Sequence, residues 1–311
     1  MKNLEELEQE RIEVVKKGKK FTTFGIIALI PGIGLAGWGL LSEGDFRMFP
    51  LVGGIILLLI AFGLIGYGST IKAKFISRVK NELMPILMAE ALETTEFTYE
   101  KNSGISLSTI LSPGIYQRPD RYHLSDYLSC QYNGVPYQMC FANFEEEHQY
   151  TDKDGHTHTT YETYFKGKVI VVDFKRQINT AFAIIEGHPK GLNVRGLNKV
   201  ETEVSIFNKK FKSYCTDTEH FFYFMTPSLI NKIMELESKF GGTLQIVMDG
   251  DLLYVFINDS RKLFNINLNN SFVGETGSSL EQIKGETLIP AAIINEFHLD
   301  SDKFNKDKNL E

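Results

Sequence analysis

The chain has 311 residues, a formal net charge of -6 and an aromatic content of 12%. This length allows one large domain or two small ones. The negative net charge argues against a general nucleic-acid binder, because affinity for phosphates comes from clustered Lys and Arg. The cysteines Cys130, Cys140 and Cys215 do not form the even, closely spaced set of a secreted disulfide scaffold, so we expect a reducing compartment.

Two uncharged apolar segments lie near the N-terminus. They cover residues 21–41 and 49–68, about 21 and 20 residues, which is near the length a helix needs to cross a bilayer. A highly charged stretch precedes the first segment and a second segment follows it, which is not the pattern of a cleaved signal peptide. We expect a two-span transmembrane hairpin over 21–68, with an amphipathic cytoplasmic helix over 1–20 and a juxtamembrane helix over 69–94.

Basic residues flank the two outer ends of this hairpin, whereas the loop between the spans contains Glu43, Asp45 and a single base, Arg47. The flanking bases are Lys16, Lys17, Lys19 and Lys20 before the first span, and Lys72, Lys74, Arg78 and Lys80 after the second. Because Lys and Arg near span ends stay cytoplasmic, both termini are predicted to lie inside, at the inner (cytoplasmic) membrane. The same bases are suited to contact anionic lipid headgroups.

Small residues recur at every fourth position of the first span, as Ala28, Gly32 and Ala36. Such a stripe lets another helix approach closely. Two alternatives stay open: packing against the second span, and self-association of the chain into a homo-oligomer.

After the juxtamembrane helix the apolar pattern changes to period 2, which predicts a β-rich cytoplasmic domain over 95–298 with at least one packed helix, an α+β class overall. Asn133-Gly134 predicts a two-residue hairpin turn that pairs Cys130 with Tyr137 and Cys140 with Tyr127. The apolar run 169–172 predicts a strand covered on both faces. Thr226-Pro227 predicts the start of a helix that ends before Gly241-Gly242.

Further strands are predicted over 182–186, 200–207 and 221–225, with another hairpin around Gly250. The aromatic run 221–224 would place two side chains on each face of its strand, either buried within the domain or exposed as a docking surface. Residues 299–311 are mostly charged or polar and predict a disordered tail.

A polar hairpin with its tip at Asp154-Gly155 contains the best candidates for a metal site, His156 and His158, since imidazoles are common ligands of zinc and copper. Alternation places these two side chains on one face and Asp152 on the other, with His148 opposite Tyr161. A closed set of four ligands is hard to build from this arrangement, so we expect a solvated hairpin without a metal or other cofactor.

No catalytic set is evident from the sequence. A nucleophilic cysteine needs a histidine that is oriented by a third group, and nothing in the spacing of Cys130, Cys140 and His123 indicates that geometry. No glycine-rich phosphate loop followed by Lys is present either.

Several features occur together between residues 160 and 268. Gly167 precedes an apolar strand that ends at Asp173-Phe174, Phe207 and Phe211 lie four residues apart, and Tyr214 precedes an aromatic segment that leads into Thr226-Pro227. This combination, with the paired spans, resembles a bacterial membrane family known as domain of unknown function 3137. The resemblance implies a membrane-tethered bacterial protein without an assigned activity or catalytic residues, in a family sometimes encoded beside LemA-type membrane proteins. LemA-type proteins are therefore candidate partners.

Two main functional hypotheses follow. A weaker third, an oligomeric pore built from the two spans, is disfavoured because no charged residue lies within the spans. The first is a non-enzymatic, membrane-tethered interaction or scaffold module whose β-rich domain binds a protein partner. The second is an enzyme, of hydrolase type, that acts near the inner membrane face with a site assembled from distant residues. A deep pocket with polar groups and a carboxyl group of shifted pKa would favour the second.

Overall fold

The structure, a computed structural model, describes residues 4–174, 180–194, 196–272 and 278–299. The chain divides into two compact units, the first formed by 1–87 with 266–283 and the second by 88–265 with 284–311. Two long apolar N-terminal helices and a nine-stranded antiparallel sheet with further helices confirm the predicted α+β class.

The helices in the described part of the chain are α1 Leu4–Leu41, α2 Met48–Glu82, α3 Met84–Leu92, α4 Leu107–Leu111, α5 Ser205–Lys210, α6 Thr218–Phe224, α7 Pro227–Lys239, α8 Ser279–Thr287 and α9 Ile289–Glu296. The strands are β1 Thr98–Glu100, β2 Arg121–Tyr132, β3 Val135–Thr151, β4 Thr157–Asp173, β5 Phe182–Glu186, β6 Asn198–Val200, β7 Phe211–Cys215, β8 Thr243–Asp249 and β9 Leu252–Asn258.

In the first unit, α1 and α2 form an antiparallel pair. They are joined by a short turn that contains Gly44 at φ 97° and a single 3-10 turn, Asp45–Arg47. Both helices are long and apolar enough to cross a membrane by length and composition. Each continues well past its apolar segment, so the predicted helical stretches before and after the spans are extensions of α1 and α2. A break at Leu83 separates α2 from α3, where Pro85 lacks the N–H that a continuous helix would need.

The sheet of the second unit has the strand order β1-β2-β3-β4-β9-β8-β5-β7-β6. Asn133 and Gly134 both have positive φ, as the predicted two-residue turn requires, and Cys130 pairs with Tyr137. Val169 to Val172 are all buried, which confirms the prediction of a strand covered on both faces. The hairpin around Gly250 is also confirmed.

The predicted pairing of Cys140 with Tyr127 is wrong. A β-bulge lies between Ser125 and Leu128, so Phe141 pairs with Ser125 and Met139 with Leu128. Asp126 has a positive φ of 57° in this bulge, and its carboxylate accepts a hydrogen bond from the Tyr99 hydroxyl over 2.9 Å. An extra residue in one strand shifts the register, and the turn sequence alone does not reveal it.

Two of the predicted strands are also wrong. Residues 221–224 belong to α6, because the Asp217 carboxylate accepts hydrogen bonds from the N–H groups of Glu219 and His220 and caps the helix. Residues 200–207 run from the last residue of β6 through a loop, 201–204, into the start of α5. The side-chain amide of Asn208 folds this segment back by donating to the carbonyl of Thr202.

The helix predicted at Thr226-Pro227 is confirmed as α7, whose Thr226 hydroxyl accepts a hydrogen bond from the N–H of Leu229 over 3.3 Å. The apolar face of α7 buries Ile230, Ile233 and Leu236. In the predicted tail, Leu299 is buried, while 300–311 lie outside the described residues.

Candidate functional site

A seam of small residues joins α1 to α2. Buried glycines recur at every seventh position of α1, as Gly18, Gly25, Gly32 and Gly39, and buried small residues do the same on α2, as Gly54, Ala61 and Gly68. Each lies in close contact with the opposite helix. A Cβ placed on Gly25 would lie 2.8 Å from the carbonyl oxygen of Ala61, and a Cβ on Gly68 would lie 2.8 Å from that of Gly18. The two backbones therefore approach each other too closely for larger side chains.

The stripe Ala28, Gly32 and Ala36 lies partly on this seam. Gly32 is buried against Leu58, and Ala36 lies against Gly54, so two of the three residues contact α2. Ala28 is half-buried. Packing between the two helices accounts for the positions of Gly32 and Ala36.

The outward faces of the same two helices expose large apolar side chains. Ile30, Ile33, Leu59 and Phe62 are each more than half exposed, and Trp38 is 65% exposed. Soluble proteins rarely expose a continuous apolar surface of this extent. Near the end where α1 enters its apolar segment, Phe21 packs edge-on against Tyr67 with ring centroids 4.9 Å apart.

Basic residues form a collar at this end of the apolar surface. Lys16, Lys17, Lys19, Lys20 and Lys74 are exposed, and within the described residues none of them forms an ion pair. The Nζ of Lys20 lies 5.9 Å from the centre of the Phe24 ring. A cationic collar beside an apolar surface is the arrangement found where helices pass between lipid tails and headgroups.

Below the collar, the base of the helix pair is closed by residues 266–272, which we call the strap. The Glu8 carboxylate accepts hydrogen bonds from Arg11, from the Ser271 hydroxyl over 3.0 Å and from the Phe272 N–H over 2.8 Å. These bonds, led by those from Arg11, hold the pKa of Glu8 at about 2. The same interaction raises the pKa of Arg11, whose Nη1 also donates to the carbonyl of Leu268 over 2.5 Å.

The strap also contacts α2. The ring of Phe272 is almost parallel to that of Phe75, with centroids 6.3 Å apart and an interplanar angle of 8°. Both rings are buried, and the guanidinium of Arg11 lies 6.0 Å from the centre of the Phe272 ring. Phe272 therefore touches both α1 and α2.

In the second unit, β3 and β4 extend beyond the rest of the sheet as a two-stranded ribbon over residues 146–162, which we call the arm. In the described structure no third strand pairs with the arm, and its side chains are largely exposed. His148 pairs with Thr160, one position from the predicted partner Tyr161, because the turn at the tip spans Asp152 to His156 and is longer than the two-residue turn expected.

The histidines of the arm pair with carboxylates. At the tip, Asp152 Oδ2 lies 2.8 Å from His158 Nε2 and 3.6 Å from His156 Nδ1, so the prediction that Asp152 points to the opposite face is wrong. The tight turn at Gly155 brings Asp152 back over both imidazoles, and the bond to His158 lowers the pKa of Asp152. Within the described residues, no group of three or more His, Cys, Asp and Glu side chains is arranged to hold a metal ion.

A cleft of about 340 Å³ lies at the base of the arm. It is lined by the end of the arm at Glu162, by Glu186, and by the loop that carries His188 and Lys190. Lys190 forms an ion pair with Glu162, and His188 contacts the ammonium group of Lys212. Burial raises the pKa of Glu186, whose carboxylate accepts a hydrogen bond from the N–H of Leu244 over 2.8 Å.

The cysteines are not set up as nucleophiles. Cys130, Cys140 and Cys215 are all free and buried. Burial raises the pKa of the Cys140 thiol to about 12 and also raises that of Cys215. The thiolate is the reactive form, so burial keeps Cys140 and Cys215 in the less reactive thiol form.

The strap and the cleft were not predicted from the sequence, and of the seam only Gly32 and Ala36 were. The seam had a readable signal, glycine at every seventh position of α1, whereas the strap and the cleft join residues that are far apart in the chain.

No curated protein matches the chain. Among solved structures, the crystal structure of the mycobacterial trehalose monomycolate transport factor A, TtfA, is similar at 10% identity with a TM-score of 0.37, covering 67% of this chain and 96% of that one. A TM-score of this size carries no conclusion about function. Residues 163–299 match the family model described as "Protein of unknown function (DUF3137)", in agreement with the family resemblance found in the sequence.

Proposed function

We propose that this protein is a membrane-tethered interaction module, in which α1 and α2 span the inner membrane as a hairpin and the β-rich unit binds a protein partner in the cytoplasm. The observation that supports the tether is the exposed apolar surface of the helix pair, which ends at a collar of exposed lysines. The positive-inside rule then puts both termini in the cytoplasm. Anionic headgroups at the collar add to the anchoring, at about 1 kcal/mol for each basic residue near the surface.

The orientation is tested by thiol labelling of intact cells. Ser42→Cys lies in the turn after α1, and Ser301→Cys lies near the C-terminus. The native cysteines are buried and provide a low background. Labelling of position 42 but not 301 by an impermeant reagent supports the proposed orientation; the reverse pattern contradicts it.

The interaction role is supported by the arm, whose polar side chains are exposed and which is paired with no third strand in the described part of the chain. A LemA-type membrane protein is one candidate partner. The test is gentle extraction of the tagged chain at native expression level, followed by mass spectrometry of the proteins that co-purify. The control is a tagged chain of residues 1–94, with its membrane insertion checked separately because it lacks the strap.

A protein that co-purifies in stoichiometric amount with the full chain and is lost with the control supports the proposal. Recovery of the full chain alone contradicts it.

A second candidate, an enzyme, is favoured by one observation, the cleft that contains Glu186. A carboxyl whose pKa is raised by burial keeps its proton to higher pH and can act as a general acid. The test is a panel of ester, phosphoester and glycoside reporter substrates with the full chain in lipid and with Glu186→Gln. Turnover that Glu186→Gln abolishes supports an enzyme, whereas no turnover across the panel counts against this candidate.

A further inference from the structure

The strap is held by both helices of the hairpin at once. Its polar contacts with the hairpin are with α1, where Glu8 accepts a hydrogen bond from the Phe272 N–H and Arg11 donates to the Leu268 carbonyl. On its other side, the Ser279 hydroxyl of α8 donates to the Asn267 carbonyl over 3.1 Å. Its aromatic contact is with α2, where Phe272 stacks on Phe75. A hydrogen bond of 2.8 Å is lost when donor and acceptor move apart by about 1 Å. The hydrogen bonds to α1 and the ring contact with α2 can therefore form together only at one separation of the two helices.

That separation is set by the glycine seam along the membrane part of the pair. Gly54 illustrates the constraint, because a Cβ at this position would collide with the backbone of Ala36 on α1. The neighbouring Gly53 faces the other way, and a Cβ there would meet nothing within 4 Å. A larger side chain at position 54 must therefore push the helices apart, whereas the same side chain at position 53 projects into open space.

We propose that binding of the strap depends on how closely the two membrane helices pack. The strap stays bound to α1 and α2 only while these helices keep the close approach of the glycine seam. Gly54 lies 21 residues before Phe75 on the same helix, about 32 Å away at the rise of an α-helix. Stiff helices can transmit a change of separation over this length. The inference rests on the proposed membrane tether.

The position of the strap in the sequence connects it to the β-rich unit. It follows β9 in sequence and precedes α8 and α9. A lipid environment or a membrane partner that spreads the helices would therefore release the strap from both of them. This gives the hairpin a regulatory role in addition to anchoring.

The test is hydrogen exchange of the full chain in phosphatidylethanolamine/phosphatidylglycerol nanodiscs, read on peptides that cover residues 266–272. Gly54→Leu is expected to speed exchange of these peptides by at least about fivefold, as expected for local opening. Gly53→Leu is expected to leave it unchanged. Glu8→Gln serves as the positive control, since it removes charge from the strap's main acceptor without touching the seam. Peptides from β8 and β9 should exchange as in the wild type throughout.

Equal exchange of the strap in Gly54→Leu, Gly53→Leu and the wild type overturns the proposal, and so does an equal increase in both leucine variants. Failure of the tether would be visible separately, as a chain that does not enter nanodiscs and is extracted by alkaline carbonate.

Discussion

The backbone N–H of Phe272 donates to the carboxylate of Glu8 over 2.8 Å, although 264 residues separate them in the chain. The base of the N-terminal helix pair is thus completed by a segment from the far end of the sequence. This segment lies inside the region 163–299 that matches the family model, whereas the two long helices lie outside it.

The strap should be stable at neutral pH and weaken in acid. The pKa of Glu8 is lowered from 4.5 to about 2 in the folded chain, chiefly by Arg11. A lowered pKa contributes stability that is present in full above the unfolded value and is lost as the pH falls through the folded value. Exchange of residues 266–272 should therefore be independent of this group above about pH 5 and increase between pH 4.5 and pH 2, after correction for intrinsic exchange rates. In Glu8→Gln this increase should be absent.

Removing one partner of the buried pair Lys168 and Asp259 should be strongly destabilising. Their side chains are 4% and 2% exposed and the Nζ and Oδ2 atoms lie 2.5 Å apart. Lys168→Ala leaves a buried carboxylate whose remaining partner is the more exposed Arg261, and we expect a loss of about 3 kcal/mol in the free energy of unfolding of the β-rich unit. Thermal unfolding followed by circular dichroism measures the loss.

The matched control for this pair is Lys199→Ala, which breaks the exposed ion pair with Glu201 and should leave the melting temperature unchanged. Equal melting temperatures of Lys168→Ala and the wild type would show that the buried pair contributes nothing.

The N-cap of α7 should contribute measurably to stability. Thr226→Ala removes the acceptor for the N–H of Leu229 and should lower the free energy of unfolding by about 1 kcal/mol. Thr226→Ser keeps the hydroxyl and should behave like the wild type in chemical denaturation. A serine variant as unstable as the alanine variant would assign the effect to the lost methyl group instead.

Cys140 should resist alkylation while the protein is folded. With a pKa of about 12, its thiolate fraction at pH 8 is about 10⁻⁴, and its side chain is fully buried. Incubation with iodoacetamide followed by peptide mass spectrometry should find Cys140 unmodified in the native chain and modified in denaturant. Modification of the native chain at the denatured rate would contradict the buried placement.

Trp38 is the sole tryptophan of the chain and lies on the proposed membrane hairpin, so its fluorescence tests the proposed span. It is 65% exposed near the turn end of α1. In lipid vesicles its fluorescence should be shielded from aqueous iodide and quenched by lipids brominated near the headgroup. The double variant Trp38→Phe/Phe62→Trp moves the probe to an exposed position farther from the turn, where lipids brominated deeper in the tails should quench best. Full access of iodide to Trp38 would refute the span.

Local patterns predicted much of the fold. The turn at Asn133-Gly134, the buried strand 169–172 and the start of α7 were all readable, since each depends on a few neighbouring residues and on the period of the apolar pattern. The aromatic run 221–224 was wrongly predicted as a strand, because aromatic residues have high β-propensity. The N-cap at Asp217 makes this segment a helix. The bulge at Asp126 and the contacts of Asp152 with His156 and His158 were not predicted either. Each depends on a local departure from the regular alternation of strand side chains.

By itself, the sequence determined two apolar helices of membrane-spanning length, a β-rich remainder and a family resemblance, because apolar length and periodicity are properties of contiguous residues. Only the tertiary structure decided that the small residues of α1 meet those of α2, that all three cysteines are buried, and that Phe272 lies between Glu8 and Phe75. Such contacts depend on how distant segments pack, and no local pattern of residues specifies that packing.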